Sequence, residues 1–285
     1  MSVVVTGAAG VVGRACLALL REGGVPARGL SRSGAGGLTP CDYGPADLDR
    51  VLAGADAVIH LAAARPGPGA RGTDNAALTA AVAQAAQRAG THLVLASSVA
   101  VHGPPTGAVL RQDSPLRPEG DYARSKVGSE EAARAVGGSV VRLSHVYGAA
   151  EDNAYFVNIA ISRALRGEPI HLTGTSPGRR NLLHADDAAL ALLAAARHRG
   201  PGPWLAAGPA AYLNSELANT AARVLAPPGA QAPVRVDAAP DFVEGGVDEA
   251  MDGSATLSAL GLPAPADLET GLRRIAAAPG KEHTR

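Results

Sequence analysis

A tyrosine and a lysine four positions apart are the residues of this chain best suited to acid–base chemistry. Tyr122 is one of five tyrosines, and Lys126 is one of two lysines. Residues four apart on a helix share a face, so the phenol and the ammonium would lie side by side. A nearby cation favours the phenolate and lowers the pKa of a tyrosine from about 10. The pair predicts an acid–base site, although an incidental pair on an exposed helix has the same spacing.

A glycine-rich turn near the start of the chain predicts a dinucleotide site. An apolar run at residues 2–6 leads into the turn, and an apolar helical pattern follows it. Glycine lets the backbone approach a pyrophosphate closely, and the amides of a helix N-terminus bind it. Strand, turn and helix in this order favour binding over a merely structural turn. The predicted contacts are Gly7, Ala9, Gly10, Val11, Val12 and Gly13.

The end of the second predicted strand favours one form of the cofactor. Residues 25–30 form an apolar strand pattern, and Ser31, Arg32 and Ser33 follow it. An acidic residue at this place would hold the ribose 2′-hydroxyl of NAD, but none is present. Arginine between two serines instead suits a 2′-phosphate. The sequence therefore predicts NADP(H).

Strand patterns alternate with helical patterns, which predicts an α/β fold with a doubly wound parallel sheet. One apolar strand runs into Leu61, Ala62 and Ala63, whose small side chains would let a flat cofactor pass the strand end. We expect a nucleotide-binding domain at residues 1–150, with 183–200 packing back on it. Residues 151–182 and 201–278 would form a smaller substrate lobe, and 279–285 a disordered tail.

The composition excludes several classes of partner. The formal net charge is zero, which argues against nucleic acid or an anionic membrane as the main partner. No apolar stretch is long enough to span a bilayer, and no leader precedes Val3. Cys16 and Cys41 lack Cys-x-x-Cys spacing, and we predict no metal site and no disulfide. We expect a cytoplasmic protein that acts on a small molecule.

Several motifs occur in an order that resembles one enzyme family. They are the glycine-rich turn, Asp42, His60–Ala63, Ser97–Gly103, Tyr-x-x-Ser-Lys-x-x-x-Glu from Tyr122 to Glu130, Arg142–Gly148, and Arg-Asn-Leu-Leu-His-Ala-Asp-Asp from Arg180. Together they resemble the extended short-chain dehydrogenase/reductase family, which includes nucleotide-sugar epimerases, dehydratases and 4-ketoreductases. The resemblance covers residues 2–200 well and the rest loosely. It implies a Rossmann-type fold with a C-terminal substrate lobe.

The resemblance also implies roles for particular residues. Ser98, Tyr122 and Lys126 take the positions of the catalytic serine, tyrosine and lysine. Asp42 takes that of the acid that contacts adenine, and Val146 lies on the strand that passes under the nicotinamide. Arg180 and Asn153 match positions that approach the phosphates of the substrate. The helix that carries Tyr122 often forms a dimer interface in this family, which implies a possible homodimer.

Three departures from the family pattern bear on the substrate. His102 stands where tyrosine is usual and His145 where asparagine is usual, so both are candidate substrate contacts. A buried histidine bonded to a backbone carbonyl is the favoured interpretation of each. Val99 and Ala100 replace the Asp-Glu pair of the dehydratases, which argues against dehydration.

These features predict an NADPH-dependent ketoreductase that acts on a nucleotide-linked 4-keto-6-deoxysugar in specialised metabolism. One alternative is an epimerase that keeps a tightly bound NAD. Another is a reductase of a non-sugar ketone such as a polyketide, because the chain has few aromatic rings to stack on a nucleotide base. A non-catalytic NADP-binding protein is the alternative from another class.

Overall fold

The computed structural model of the chain describes residues 1–63, 73–148, 155–227 and 234–277. The strands are β1 (Val3–Thr6), β2 (Ala27–Ser31), β3 (Thr39–Pro40), β4 (Ala57–His60), β5 (His92–Ser98), β6 (Ser139–Leu143), β7 (His145–Tyr147), β8 (Ile170–Leu172), β9 (Thr175–Ser176), β10 (Arg180–His184), β11 (Trp204–Ala206), β12 (Ala211–Tyr212), β13 (Val236–Ala238) and β14 (Val243–Glu244). The α-helices are α1 (Val11–Glu22), α2 (Pro45–Leu52), α3 (Thr73–Ala89), α4 (Gly120–Ala135), α5 (Phe156–Leu165), α6 (Ala185–His198), α7 (Asn214–Val224), α8 (Ser254–Leu260) and α9 (Leu268–Ala277). Short 3₁₀ helices span Ala35–Gly37 and Val99–His102.

The central sheet has seven parallel strands in the order β3-β2-β1-β4-β5-β6-β11. The strand order changes direction at β1: β2 and β3 lie on one side of it, and β4, β5, β6 and β11 lie on the other. Ligands of such sheets bind outside the carboxyl ends of the strands at this switch point. The predicted α/β class and doubly wound parallel sheet are confirmed.

Every residue of β1 and β4, near the middle of the central sheet, is buried, as expected for parallel strands covered on both faces. On β1, Val3 and Val5 pack in one apolar core, and Val4 packs in another on the opposite face. The first core contains α1 and α6, and the second contains α2, α3 and the end of α4. Residues 185–196 pack in the first core, against residues of β1 and α1.

A third apolar core belongs to the C-terminal part of the chain. It joins α5, α7 and α9 to β8 and β10, with Leu217, Ile161 and Leu272 among its buried residues. A small sheet of β12, β10 and β7 adjoins it, in which β7 and β10 are parallel. The Asp187 carboxylate on α6 accepts the Ala266 amide and pairs with Arg274 of α9. These contacts join the third core to the central sheet.

One expected boundary differs from the structure. Residues 201–278 were expected in the substrate lobe, but Trp204–Ala206 forms the edge strand β11 of the central sheet, beside β6. A three-residue strand has too short a pattern to be recognised from sequence. In the described part of the chain, no helix is long and apolar enough to cross a membrane.

Candidate active site

The structure places Tyr122 and Lys126 on one face of α4, as the four-residue spacing predicts. The Lys126 ammonium lies 5.9 Å from the centroid of the Tyr122 ring. Nζ donates a hydrogen bond to the Ala96 carbonyl on β5 at 3.0 Å. This contact fixes α4 against the carboxyl end of β5.

Burial changes the acid–base behaviour of Lys126. The side chain is 6% exposed, and desolvation lowers its pKa to about 8, although the nearby charge of Glu130 acts in the opposite direction. A lysine with this pKa changes charge close to neutral pH, which active sites commonly require. It is therefore suited to influence a neighbouring phenol.

Ser97 and Ser98 end β5 and point to opposite sides of the strand. The Ser97 hydroxyl donates to the Glu130 carboxylate at 2.6 Å in the interior. Ser98 instead lines an open cleft, where its oxygen accepts the Ala100 amide at 3.2 Å. The two anchors of β5, Lys126 on Ala96 and Glu130 on Ser97, set the position of Ser98.

Glu130 is fully buried and is held by two arginines. Arg142 of β6 donates Nε and Nη2 to its two oxygens at 2.9 and 2.8 Å, and Arg134 donates at 2.8 Å. Burial alone would raise the pKa of Glu130, but these hydrogen bonds and charges lower it overall. The carboxylate therefore stays charged beneath the end of β5.

His102 belongs to this buried network and not to the cleft. It is 1% exposed, Nδ1 donates to the Pro115 carbonyl at 3.1 Å, and Nε2 lies 3.3 Å from Arg142 Nη1. A carbonyl only accepts, so Nδ1 carries the hydrogen and Nε2 accepts from the guanidinium. Desolvation lowers the pKa of His102. The structure thus places His102 in the buried, carbonyl-bonded environment that the sequence favoured over a place in the cleft.

The cleft has a volume of about 280 Å³ and lies beyond the carboxyl ends of β5 and β6. It brings together Ser98, His145 and Arg180, three of the residues that the sequence singled out. The other lining residues are Val99, Ala100, Gly103, Pro104, Pro105, Glu119, Ser144 and Glu249. Asn153 lies outside the described residues.

Two polar atoms on the cleft wall are buried without a hydrogen-bond partner among the described residues: Arg180 Nη1 and Ser144 Oγ. Buried polar groups are nearly always paired, so such atoms in a cleft mark places for ligand contacts. His145, by contrast, pairs with Glu249 at 3.2 Å.

The glycine-rich turn fits a dinucleotide. A Cβ on Gly13 would lie 2.5 Å from the Gly7 carbonyl, and one on Gly7 would lie 2.8 Å from the Ala62 amide. Gly7 also has a φ of 62°, which favours glycine. The first turn of α1, which includes Val11 and Val12, has no acidic residue and no side-chain cap. Its amides are thus suited to bind a pyrophosphate.

Thr6 joins this turn to the end of β4. Its oxygen accepts the amides of Leu61 and Ala62 at 3.1 Å, and its hydroxyl lies 2.8 Å from His60 Nδ1. His60 Nε2 meets Thr79 of α3 at 3.2 Å. Burial lowers the pKa of His60 to about 3, so the imidazole is neutral.

Arg32 is exposed in the loop after β2. Its serine neighbours bond within the loop: Ser31 accepts the Gly34 amide, and Ser33 accepts the Ala35 amide. Arg32 is therefore the residue of this trio best suited to meet a phosphate. Asp42 accepts the Gly44 amide at 2.6 Å and is exposed at the end of the adjoining β3 segment.

Sequence reasoning did not identify Glu249, Ser144, Glu119 or Tyr43. Glu249 is 104 residues away from His145 in the chain, so no local motif joins them. Tyr43 has a left-handed φ of 65°, and its pKa is raised by burial although hydrogen bonds from Gly7 and Thr6 oppose this. Its neighbours place the phenol beside the glycine-rich turn, a position that only the fold reveals.

A Rossmann-type sheet with a glycine-rich turn at β1 and a Tyr-x-x-x-Lys helix beside β5 defines a nicotinamide-nucleotide oxidoreductase of the short-chain dehydrogenase/reductase type. A model of the NAD dependent epimerase/dehydratase family matches residues 3–206. The chain belongs to this family and is an NAD(P)-dependent oxidoreductase.

Two curated relatives are similar over most of the chain. A UDP-glucose 4-epimerase from Azospirillum brasilense is 29% identical over 246 residues, which cover 71% of each protein. A 2'-dehydrokanamycin reductase from Streptomyces kanamyceticus is 33% identical over 235 residues, which cover 72% of this chain and 64% of the relative.

Solved structures share the whole architecture. The UDP-N-acetylglucosamine 4-epimerase from Bacillus cereus has a TM-score of 0.83 and 26% identity, covering 97% of this chain and 95% of that one. MoeE5 in complex with UDP-glucose and NAD has a TM-score of 0.78 and 26% identity, covering 97% of both chains.

Replacing Glu130 with Gln removes the negative charge that raises the pKa of Lys126. We expect Lys126 to lose its proton at a lower pH than the wild-type value of about 8. Since the chain has two lysines, ¹³C-labelled lysine gives two side-chain signals, and a Lys281→Arg variant assigns them. The measurement is an NMR pH titration of both proteins.

A Ser97→Ala variant is the matched control, because it removes one hydrogen bond of Glu130 and keeps its charge. Its Lys126 signal should titrate as in the wild type. The Gln variant leaves Arg142 without its carboxylate and should lose about 3–5 kcal/mol of stability. An unchanged Lys126 titration in a folded Gln variant would contradict the charge coupling.

Proposed function

We propose that the chain is an NADPH-dependent ketoreductase and that its substrate is a nucleotide-linked keto sugar. One observation carries the proposal: Lys126, 5.9 Å from the Tyr122 ring centroid, donates to Ala96 on β5, the strand that ends with Ser98 at the cleft. A carbonyl bound beside Ser98 would meet a hydroxyl donor and a phenol whose neighbour is a cation. This set suits reduction, in which an alkoxide forms and needs a proton.

A bound nicotinamide supplies or accepts the hydride, and the protein residues manage the oxygen of the substrate. Ser98 would orient the carbonyl oxygen by a hydrogen bond. Tyr122 would donate its phenolic proton to that oxygen as negative charge develops. Lys126 would stabilise the resulting phenolate, since a nearby cation favours the charged form.

Arg32 supports NADP(H) as the cofactor. It lies exposed in the loop after β2, and no acidic residue stands in this loop to hold a ribose 2′-hydroxyl. Guanidinium groups bind phosphates by paired hydrogen bonds. A solved relative binds NAD, so the preference rests on the residues of this loop and not on that likeness.

Arg180 supports a phosphate-bearing substrate. Its Nη1 is buried on the cleft wall with no partner among the described residues. Two similar proteins are named for acting on or binding UDP-linked sugars, which agrees with a diphosphate in this cleft.

Two other activities have particular support. The names of two similar proteins favour a nucleotide-sugar epimerase with a tightly held NAD. The 33% identical reductase, named for a keto derivative of kanamycin, favours a ketone without a nucleotide. Copurification of NAD with the protein would support the epimerase. The titration with TDP and UDP below tests for the ketone without a nucleotide.

Replacing Tyr122 with Phe removes the proposed proton donor and leaves the ring in place. We expect kcat/KM for TDP-4-keto-6-deoxyglucose to fall by about 10²–10⁴-fold, while the Kd for NADPH stays unchanged. NADPH oxidation at 340 nm and calorimetry provide the two measurements. Tyr212→Phe, which removes a hydroxyl that accepts the Leu268 amide, is the control and should retain activity. Full activity of Tyr122→Phe would exclude the acid–base role.

Replacing Arg32 with Ala should weaken NADPH binding by about ten- to a hundredfold, because a hydrogen-bonded charge contact is lost. NADH lacks the 2′-phosphate, and its Kd should not change. Calorimetric titrations of both cofactors test this. Arg28→Ala on β2, whose guanidinium bonds to the Val51 carbonyl, is the matched control. A parallel loss of NADH and NADPH affinity would count against the assignment.

TDP and UDP should raise the melting temperature of the NADPH-loaded protein if the substrate carries a nucleotide, since a ligand that binds only the folded state stabilises it. Replacing Arg180 with Gln should reduce this shift. Arg166→Gln, on the surface and paired with Glu168, is the control. No shift with either nucleotide would favour the ketone without a nucleotide.

A further inference from the structure

One part of the cleft lining carries no polar side-chain atom. It follows Ser98 in the chain, and we call it the apolar wall. The apolar wall consists of Val99, Ala100, Gly103, Pro104 and Pro105. Every other described residue of the lining is polar or charged. The cleft therefore offers an apolar surface and a polar surface to the same ligand.

The main chain of the apolar wall has few hydrogen-bond donors to offer. The Ala100 amide donates to Ser98 Oγ at 3.2 Å, and the Gly103 amide donates to the Ala100 carbonyl at 3.1 Å. Pro104 and Pro105 have no amide hydrogen. At these four positions no main-chain donor is left for a ligand. A ligand hydroxyl placed here would lose the hydrogen bonds that water donates to it, and this loss is unfavourable.

The apolar wall is held at both ends of the 3₁₀ helix at 99–102. Val99 packs with Leu205 in a small buried apolar cluster. Gly103 has a φ of 76°, and a Cβ there would collide with the Arg117 carbonyl, so this position requires glycine. The Arg117 amide donates to the Val101 carbonyl at 3.0 Å. The apolar surface is thus a fixed part of the cleft.

Ser98 lies at the boundary between the apolar wall and the polar lining. It pairs with Leu143 on the neighbouring strand β6, and Ser144 and His145 follow Leu143 in the chain. Ser98 Oγ accepts the Ala100 amide, and its own hydrogen has no acceptor among the described residues. That hydrogen can therefore be donated to a substrate carbonyl. A carbonyl bound by Ser98 would lie between an apolar and a polar surface.

We propose that the apolar wall receives a deoxygenated carbon of the substrate, namely the C6 methyl group of a 4-keto-6-deoxysugar, and that it selects against the 6-hydroxy analogue. One ring carbon beside a 4-keto group carries C6, and the other carries a hydroxyl. A methyl group at C6 suits the apolar wall, and the hydroxyl suits the polar lining. This inference rests on the proposed ketoreductase function and names its substrate class.

The test is calorimetric titration of the NADP⁺-loaded protein with TDP-D-fucose and TDP-D-galactose, which differ only in the hydroxyl on C6. We expect the Kd of TDP-D-fucose to be lower by about ten- to a hundredfold, because an apolar site discriminates against an added hydroxyl by up to about this factor. The free sugars D-fucose and D-galactose form a second pair with the same difference and no nucleotide.

Ala100→Ser and Pro105→Ser each add a hydroxyl to the apolar wall, and Pro105→Ser also adds an amide hydrogen. Both should reduce the preference for the deoxy sugar, because the new donors can bond to the C6 hydroxyl. Ala108→Ser, at an exposed position of the same loop outside the cleft lining, is the matched control and should keep the wild-type ratio of Kd values. The melting temperature of each variant shows that it is folded.

Equal Kd values for the two TDP sugars would overturn the proposal, as would an unchanged ratio in both Ala100→Ser and Pro105→Ser. If neither TDP sugar binds, the free pair decides, and the proposal fails unless D-fucose binds more tightly than D-galactose. A preference for the deoxy sugars without NADPH oxidation by TDP-4-keto-6-deoxyglucose would instead count against the proposed ketoreductase function.

Discussion

The buried carboxylate of Glu130 is the group on which the geometry of the candidate site depends. A carboxylate without water must be paired, and here Arg142, Arg134 and Ser97 supply the partners. Since those partners come from β6, α4 and β5, one charge fixes the relation of three elements. Lys126, one turn before Glu130, completes the attachment of α4 to β5. The ends of these elements form the cleft. The shape of the site therefore depends on the buried Glu130 ion pairs, which lie out of reach of a substrate.

The nucleotide-binding half could be read from sequence because its elements are local. The predicted apolar run at residues 2–6 and the helix after the glycine-rich turn are present as β1 and α1, since neighbouring residues alone set this pattern. The spacing of Tyr122 and Lys126 also predicted a shared face. Three features could not be predicted from the sequence: the pairing of His145 with Glu249, the Ser144 hydroxyl without a hydrogen-bond partner among the described residues, and the edge strand β11. Each depends on segments that are distant in the chain and that the fold brings together. For His102, burial decided between two interpretations that the sequence left open.

A chain of buried hydroxyls links the two halves of the site. Thr6 meets His60, His60 meets Thr79, and Thr79 meets Ser129 on α4. Ser129 in turn donates to the Ser125 carbonyl, beside Lys126. The glycine-rich turn and the Tyr122 helix are therefore joined through side chains as well as through the sheet. Short hydroxyl chains tolerate little displacement, so this network holds the turn and α4 in one register.

The loop between the 3₁₀ helix at 99–102 and α4 is held to the core through its main chain and through side chains at its middle. Arg142 and His102 bond the carbonyls of Gln112 and Pro115, and the Arg117 amide bonds the Val101 carbonyl. Arg111 pairs with Asp252, and Leu110 packs on a small apolar cluster, so the middle of the loop is anchored by side chains. Pro104, Pro105 and Glu119 instead line the cleft and are the positions of this loop to vary. Such an arrangement lets selection or directed evolution alter substrate choice while the acid–base apparatus stays intact.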